Sequence, residues 1–168
     1  MLQTTLTPNR IWLGDITYIP TGEGWLYLAA VLDLATRKIV GWAMRDHMRT
    51  ELALSALLMA VQRQRPEPGL ICHSDRGSQY AAEIYRQHIG CDRCQGINEP
   101  QRLLLRQRAD GELLFHTLKV ELVHQRQWET REEAKRDLFA YIETYYHRAH
   151  IHSAIGYVTP EHAERLAS

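Results

Sequence analysis

Three acidic residues stand where they could act together as metal ligands. Asp15 interrupts the apolar stretch Ile11–Ile19, Asp75 closes a short apolar run that begins at Leu70, and Glu112 opens a helical pattern. Phosphoryl transfer on nucleic acids uses two hard cations about 4 Å apart, which activate the nucleophile and stabilise the leaving oxygen. Carboxylate oxygens are the ligands that Mg²⁺ prefers. The three residues therefore suit a site that binds Mg²⁺.

Each of these carboxylates also has an ordinary structural explanation. Asp15 could be a charge on a solvated strand edge, and Asp75 could accept hydrogen bonds from the backbone of a turn or helix. Glu112 could be a first-turn glutamate that the helix dipole favours. The positions of the three residues in the sequence leave these alternatives open.

Strand patterns surround the first two acids. The alternation over Ile11–Ile19 predicts a strand, and the turn residues Pro20–Gly24 separate it from strands over 25–35 and 38–44. Three sequential strands with tight turns predict an antiparallel meander. A fourth short strand ends at Asp75 after a long connection, which favours parallel pairing. The tryptophans in the strand patterns are expected in the core; they are Trp12, Trp25 and Trp42.

Helical patterns separate and follow these strands. The pattern over Thr50–Gln64 predicts a helix with its first residue as N-cap. Further helices are expected over 111–124 and 130–148, the second opened by a capping box of Thr130 and Glu133. Three antiparallel strands, a helix, a strand and further helices predict a three-layer α/β fold.

Size and charge narrow the classes of protein. A chain of 168 residues fits one domain. Lys plus Arg equals Asp plus Glu at 20 each, so any DNA binding is expected to rest on local basic patches. The apolar runs are far shorter than the roughly 20 residues of a membrane span, and no signal peptide follows Met1. We expect a cytosolic protein that does not bind membranes.

Two groups of cysteine and histidine residues could suggest metal sites. The first has C-x₂-C spacing but no second pair nearby, and structural zinc needs four ligands. The second is better explained as a polar helix end. The groups are Cys91, Cys94 and His88, and His147, His150 and His152. Neither is expected to hold a metal, and three cysteines do not suggest a disulfide framework.

Five ordered blocks cover most of the chain: DITYIPTGEGWLYLAAVLDLATRKIVGWAM, GLICHSDRGSQY, FHTLKVELVH, TREEAKRDLFAYIETYYHR and HSAIGYVTPEHA. Together they resemble the integrase core of bacterial insertion-sequence transposases, the DDE recombinases related to retroviral integrases. The resemblance covers Pro8–Tyr85 and Phe115–Ala163. It implies an RNase H-like fold with a mixed five-stranded sheet, three strands antiparallel and then parallel, flanked by helices.

The resemblance also implies a chemistry. The family cuts and joins DNA with an Asp-Asp-Glu triad that binds two Mg²⁺ ions, for which Mn²⁺ can substitute. The triad falls on Asp15, Asp75 and Glu112. His116 and Lys119 follow Glu112 by four and seven residues, on one helix face, and would contact the DNA end.

Partners and location follow from the same resemblance. Arg148 lies in the segment YHRAHIHSAIGY, which resembles a basic family segment and would also bind DNA. The implied partners are the element's terminal repeats, target DNA, and either a second copy of the chain or an intact transposase. The implied location is the bacterial cytoplasm, at the nucleoid. We divide the chain into a lead (1–9), a catalytic core (10–147) and a C-terminal tail (148–168).

The segment 89–111 departs from the family pattern. Except at Leu103, Glu99–Leu114 matches a typical family run translated one base out of frame with GC-rich codons. We therefore interpret the chain as a truncated copy with a compensated frameshift between Ile89 and Phe115. This hypothesis predicts a poorly ordered segment and a weakly held Glu112.

The frameshift leaves three functions open. The first is DNA transposition or integration by metal-dependent phosphoryl transfer, impaired in this copy. The second is an inactive remnant that acts, if at all, by pairing with an intact transposase. The third is an RNase H-type nuclease without strand transfer.

Overall fold

A mixed β-sheet lies at the centre of the computed structural model, which describes residues 7–74 and 111–167. The described residues contribute four strands, in the order β3-β2-β1-β4. These are β1 (Ile11–Thr21), β2 (Gly24–Asp33), β3 (Ile39–Arg45) and β4 (Ile71–Ser74).

The pairing of the strands confirms the prediction of a meander followed by a parallel strand. β1 pairs antiparallel with β2, and β2 pairs antiparallel with β3. β4 pairs parallel with β1, from Ile11 opposite Ile71 to Gly14 opposite Ser74. The expected fifth strand lies outside the described residues.

Helices cover both faces of the sheet. Among the described residues, the α-helices are α1 (Thr50–Gln64), α2 (Gly111–Glu121), α3 (Arg131–Ala140) and α4 (Pro160–Leu166). In the same ranges, a π-helix continues α3 and two short 3₁₀ helices occur: Tyr141–Tyr146, Val123–Gln125 and Ser153–Ile155. No helix within the described ranges is long and apolar enough to cross a bilayer.

The structure confirms the N-cap predicted for α3 and corrects the one predicted for α1. Thr130 is the N-cap of α3: its hydroxyl accepts a hydrogen bond from Glu133 N, and the Glu133 carboxylate accepts one from Thr130 N. This confirms the capping box. The N-cap predicted for α1 was wrong, because Arg49 has the extended backbone of a cap and Thr50 is already helical.

Strand alternation divides the apolar side chains into two cores. Leu13 and Ile19 of β1 lie in the core that contains the buried residues of α2 and α3. Trp12 lies in the other core, with α1. Gly41 lets α1 approach β3 closely, since a Cβ at this position would collide with the Ala56 carbonyl oxygen.

The placement of the strand tryptophans corrects one prediction and adds an unforeseen pair. Trp12 is fully buried and Trp42 is partly buried against the core, but Trp25 is 48% exposed. Trp25 follows Gly24 at the start of β2. There its ring packs edge-to-face on Tyr18, with 4.9 Å between ring centroids.

Candidate active site

The strand β1 places Asp15 on the sheet face that packs against α2. Asp15 lies opposite Ala30, and alternation puts it on the same face as Leu13 and Ile19. The residue is half-buried, and its Oδ1 accepts a hydrogen bond from the backbone N–H of Ile16 at 2.8 Å. The Asp15 carboxylate therefore lies beside the sheet in a partly desolvated position.

The strand β4 leads directly to the second predicted acid, Asp75. The last residue of β4, Ser74, lies opposite Gly14, the residue before Asp15. Asp75 is the next residue of the chain and lies outside the described residues. The structure thus fixes the strand that leads to Asp75 as the parallel neighbour of the strand that carries Asp15.

The helix α2 carries the third predicted acid. Glu112 is the second residue of α2, and its side chain lies outside the described part of the molecule. Leu114, Phe115 and Leu118 are buried in the core that also contains Leu13 and Ile19. Packing therefore holds α2 on the same side of the sheet as Asp15. Of the irregular segment 89–111, only Gly111 is described.

The two predicted DNA contacts on α2 differ in exposure. His116 is exposed, and Lys119 is half-buried, with its Nζ 5.1 Å from the centroid of the Tyr18 ring. Tyr18 follows Asp15 by three residues on β1, which is a distance of about 10 Å along a strand. A cation of α2 is thus brought next to the strand of Asp15.

The C-terminal end of α2 is anchored by a polar cluster that the sequence did not predict. Glu121 accepts a hydrogen bond from the Tyr141 hydroxyl at 2.7 Å and lies 3.2 Å from His150 Nε2. Burial and the Glu121 carboxylate raise the pKa of Tyr141 far above its ordinary value, so this hydroxyl stays a donor. Tyr141 and His150 thereby attach the end of α2 to the part of the chain that follows α3.

The histidines of the C-terminal segment are structural neighbours of this cluster. His147 is buried, and the ring of His150 stacks on Tyr146 and lies 3.2 Å from His152. Burial lowers the pKa of both His147 and His152 to about 4, so both are neutral near pH 7. They cannot supply positive charge to a phosphate at that pH.

Arg148 is the exposed cation of this segment. Its Nε lies 3.5 Å from Glu161 at the start of α4, and the arginine side chain is 68% exposed. Within residues 7–74 and 111–167, no group of three His, Cys, Asp or Glu side chains could hold a metal ion. The zinc-like residues His88, Cys91 and Cys94 lie outside those ranges.

Asp33 shows how a carboxylate of the same sheet can be purely structural. It is fully buried at the end of β2, and its oxygens accept hydrogen bonds from the backbone N–H groups of Asn9, Ala35 and Thr36. Burial raises its pKa, although these hydrogen bonds oppose the change. Asp33 closes the turn after β2 and faces away from solvent, unlike Asp15.

The order of the strands and the helices on both faces define an RNase H-like α/β domain. Two family models, both described as integrase core domain, match residues 6–94 and 112–163. The chain belongs to the integrase core domain family. Neither matched range includes residues 95–111.

The curated relatives are transposases. The transposase for insertion sequence element IS904 of Lactococcus lactis is 42% identical over 161 residues, which is 96% of this chain and 63% of that protein. The transposase InsF for insertion sequence IS3A of Escherichia coli is 40% identical over 157 residues, 94% of this chain and 54% of the relative. The chain thus spans a little more than half the length of these proteins.

Solved structures confirm the fold. The integrase catalytic core domain of HTLV-2, solved with magnesium in a dimeric form, matches with a TM-score of 0.58. The identity is 14%, and the match covers 95% of this chain and 97% of that one. A chain of the simian T-cell lymphotropic virus intasome matches with a TM-score of 0.62 and 17% identity, over 98% of this chain and 57% of its own length.

Proposed function

We propose that this chain forms the catalytic core of a transposase that cuts the ends of a mobile DNA element and joins them to target DNA. The parallel pairing of β1 with β4 carries the proposal. In it, Gly14 lies opposite Ser74, and an aspartate follows each of them, Asp15 and Asp75. Because the two strands run in the same direction, the residues that follow these paired positions should lie side by side, at the same level along β1. This favours two neighbouring carboxylates.

In this proposal Asp15, Asp75 and Glu112 hold two Mg²⁺ ions, for which Mn²⁺ can substitute. The half-buried carboxylate of Asp15 suits a hard cation that prefers oxygen ligands and keeps several waters. When bound, such ions would activate the attacking water or 3′-hydroxyl and stabilise the leaving oxygen. The chain supplies rigid support, because Leu118 and its neighbours fix α2 on the sheet.

DNA is the proposed substrate, and His116, Lys119 and Arg148 are its proposed contacts. The ion pair of Arg148 with Glu161 is exposed, and such pairs contribute little, so a phosphate can compete for the guanidinium. The chain has no basic excess. Binding should therefore rest on these few cations and be weak at physiological salt. A DNA substrate places the protein in the bacterial cytoplasm.

The proposed protein partner is a second copy of the chain or an intact transposase. Support comes from an open groove of about 510 Å³ between α1, β3 and α3. Phe139 of α3 is 51% exposed there, with its ring edge-to-face on Trp42. Sedimentation should show self-association in the wild type and its loss in Phe139→Asp. A wild-type chain that stays monomeric at every concentration would contradict a homo-oligomer.

The reaction is tested with duplexes copied from the terminal repeats that flank the gene. Nicking should require Mg²⁺ or Mn²⁺ and should disappear in Asp15→Asn. The matched control is Asp46→Asn, which changes an exposed aspartate just after β3 and should cleave normally. Equal cleavage by the wild type and Asp15→Asn would refute the assignment.

Two other functions remain distinguishable by the same assay. A folded chain that never cleaves would support the inactive remnant, although similarity to transposases over 96% of the chain does not favour it. Cleavage without joining to target DNA would support a plain nuclease. The frameshift hypothesis stays a prediction, which the nucleotide sequence between codons 89 and 115 tests directly.

A further inference from the structure

An exposed aromatic pair lies at the hairpin end of β1 and β2. Tyr18 lies opposite Tyr27, and Pro20 lies opposite Trp25, so Tyr18 and Trp25 are diagonal neighbours on one sheet face. The tyrosine is 54% exposed and the tryptophan 48% exposed. An edge-to-face contact in the core contributes to stability, but here much of both rings faces solvent.

The hairpin that carries the pair is hydrogen-bonded to the start of α3 and to the segment just before it. Gly22 N donates a hydrogen bond to Trp128 O at 2.9 Å, and Arg131 Nε donates one to Trp25 O at 3.1 Å. The Glu23 carboxylate accepts a hydrogen bond from Arg131 N at 2.9 Å. The rings are thus presented on a fixed support, and the nearby carboxylate is engaged by the first residue of α3.

Positive charge flanks the pair. Lys119 of α2 places its Nζ 5.1 Å from the centroid of the Tyr18 ring, and the part of the chain that the structure describes gives Lys119 no ion pair with a carboxylate. Arg131 lies at the Trp25 end. Aromatic rings beside cations, on a positively charged path, are how proteins bind unpaired nucleotides, whose bases stack on the rings.

We propose that Tyr18 and Trp25 form a stacking subsite for an unpaired base of the DNA end, with Lys119 at an adjoining phosphate. This subsite rests on the proposed function and extends it from duplex DNA to a frayed or single-stranded end. Tyr18 is about 10 Å along the strand from Asp15. Alternation turns the Tyr18 ring to the sheet face opposite Asp15, and Lys119 reaches that ring from α2, which packs on the Asp15 face. A DNA end bound to the rings would therefore run past Lys119 to reach the catalytic carboxylate.

The experiment compares three oligonucleotides in EDTA, where no cleavage occurs: a blunt duplex, the same duplex with a short single-stranded extension, and that extension with its bases removed. Fluorescence anisotropy gives each affinity for the 168-residue chain. The extension with bases should bind about 5- to 150-fold more tightly than the abasic one, the range for one stacked base. The abasic extension keeps its phosphates and therefore isolates stacking from charge.

Variants test whether the preference for extensions that carry bases depends on the aromatic pair. Tyr18→Ala and Trp25→Ala should lose the preference for bases, whereas Trp25→Phe should keep most of it. The control is Tyr157→Ala, which removes a more exposed ring from the segment before α4. A Trp25→Ala chain that melts as the wild type does and keeps the full preference would overturn the proposal.

Two further outcomes separate this subsite from the proposed reaction. Equal affinity for the abasic and base-containing extensions, or no binding of any oligonucleotide at low salt, would overturn the subsite. A base preference in a chain that does not cleave DNA with Mg²⁺ would support the subsite and count against the reaction.

Discussion

The buried imidazole of His147 should make the fold less stable in mild acid. His147 is 5% exposed, and burial lowers its pKa from 6.5 to about 4. Glu143, 4.0 Å from Nδ1, favours the charged form, whereas Lys38 and Arg63 disfavour it. Because the folded pKa is lower, the unfolded chain binds the proton first, and stability falls as pH falls from about 6.5 to about 4.

The size of the loss follows from the two pKa values. For one histidine with a pKa of 6.5 unfolded and about 4 folded, the free energy of unfolding falls by about 2 kcal/mol from pH 7 to 5 and by about 3 kcal/mol to pH 4. Burial and the neighbouring His150 also lower the pKa of His152, which is less buried and should add a smaller loss. A domain is stable by only about 5–15 kcal/mol, so the effect is measurable.

Urea unfolding followed by tryptophan fluorescence at pH 7, 6 and 5 measures this dependence. His147→Gln removes the titrating group. Between pH 7 and 5 its free energy of unfolding should therefore fall by about 2 kcal/mol less than that of the wild type. The control His124→Gln changes an exposed histidine and should follow the wild type. Equal pH dependence in the wild type and His147→Gln would refute the reasoning.

Three further changes test the packing, the capping and the DNA contact. Gly41→Ala puts a Cβ against the Ala56 carbonyl oxygen and should lower the free energy of unfolding in urea by about 1–3 kcal/mol. Thr130→Ala removes the capping box and should cost about 1 kcal/mol in thermal unfolding, most of which Thr130→Ser should restore. Lys119→Gln should make the plot of log affinity against log salt shallower by about 0.9 if the ammonium contacts one phosphate, and an unchanged slope would contradict that contact.

The sequence predicted the strands and the helix whose formation depends on neighbouring residues. The three antiparallel strands follow from alternation and turn residues, and the bounds of α1 follow from its apolar period. The π-helix could not be predicted, because Tyr141–Tyr146 continues the same helical pattern as α3. The widened turn depends on how these aromatic side chains meet α2 and the segment after them.

The site was predictable only as a set of residue types. Asp15 and Asp33 both lie in apolar strands, and the sequence alone does not tell which one is closed off by backbone N–H groups. The sequence did not predict the exposure of Trp25, because the apolar stretch that begins with it has the composition of a core strand. Its position directly after Gly24, at the end of a tight turn, was the available signal.

The parallel pairing of β1 with β4 also has a consequence for the order of folding. Ile11 meets Ile71 only after the chain between them has closed on itself, whereas the first three strands need only short turns. Loop closure of that length costs conformational entropy before any contact is gained, so such pairings form slowly. A newly made chain should therefore possess its hairpins well before β4 docks, and its proposed cation ligands should come together in one of the last steps of maturation.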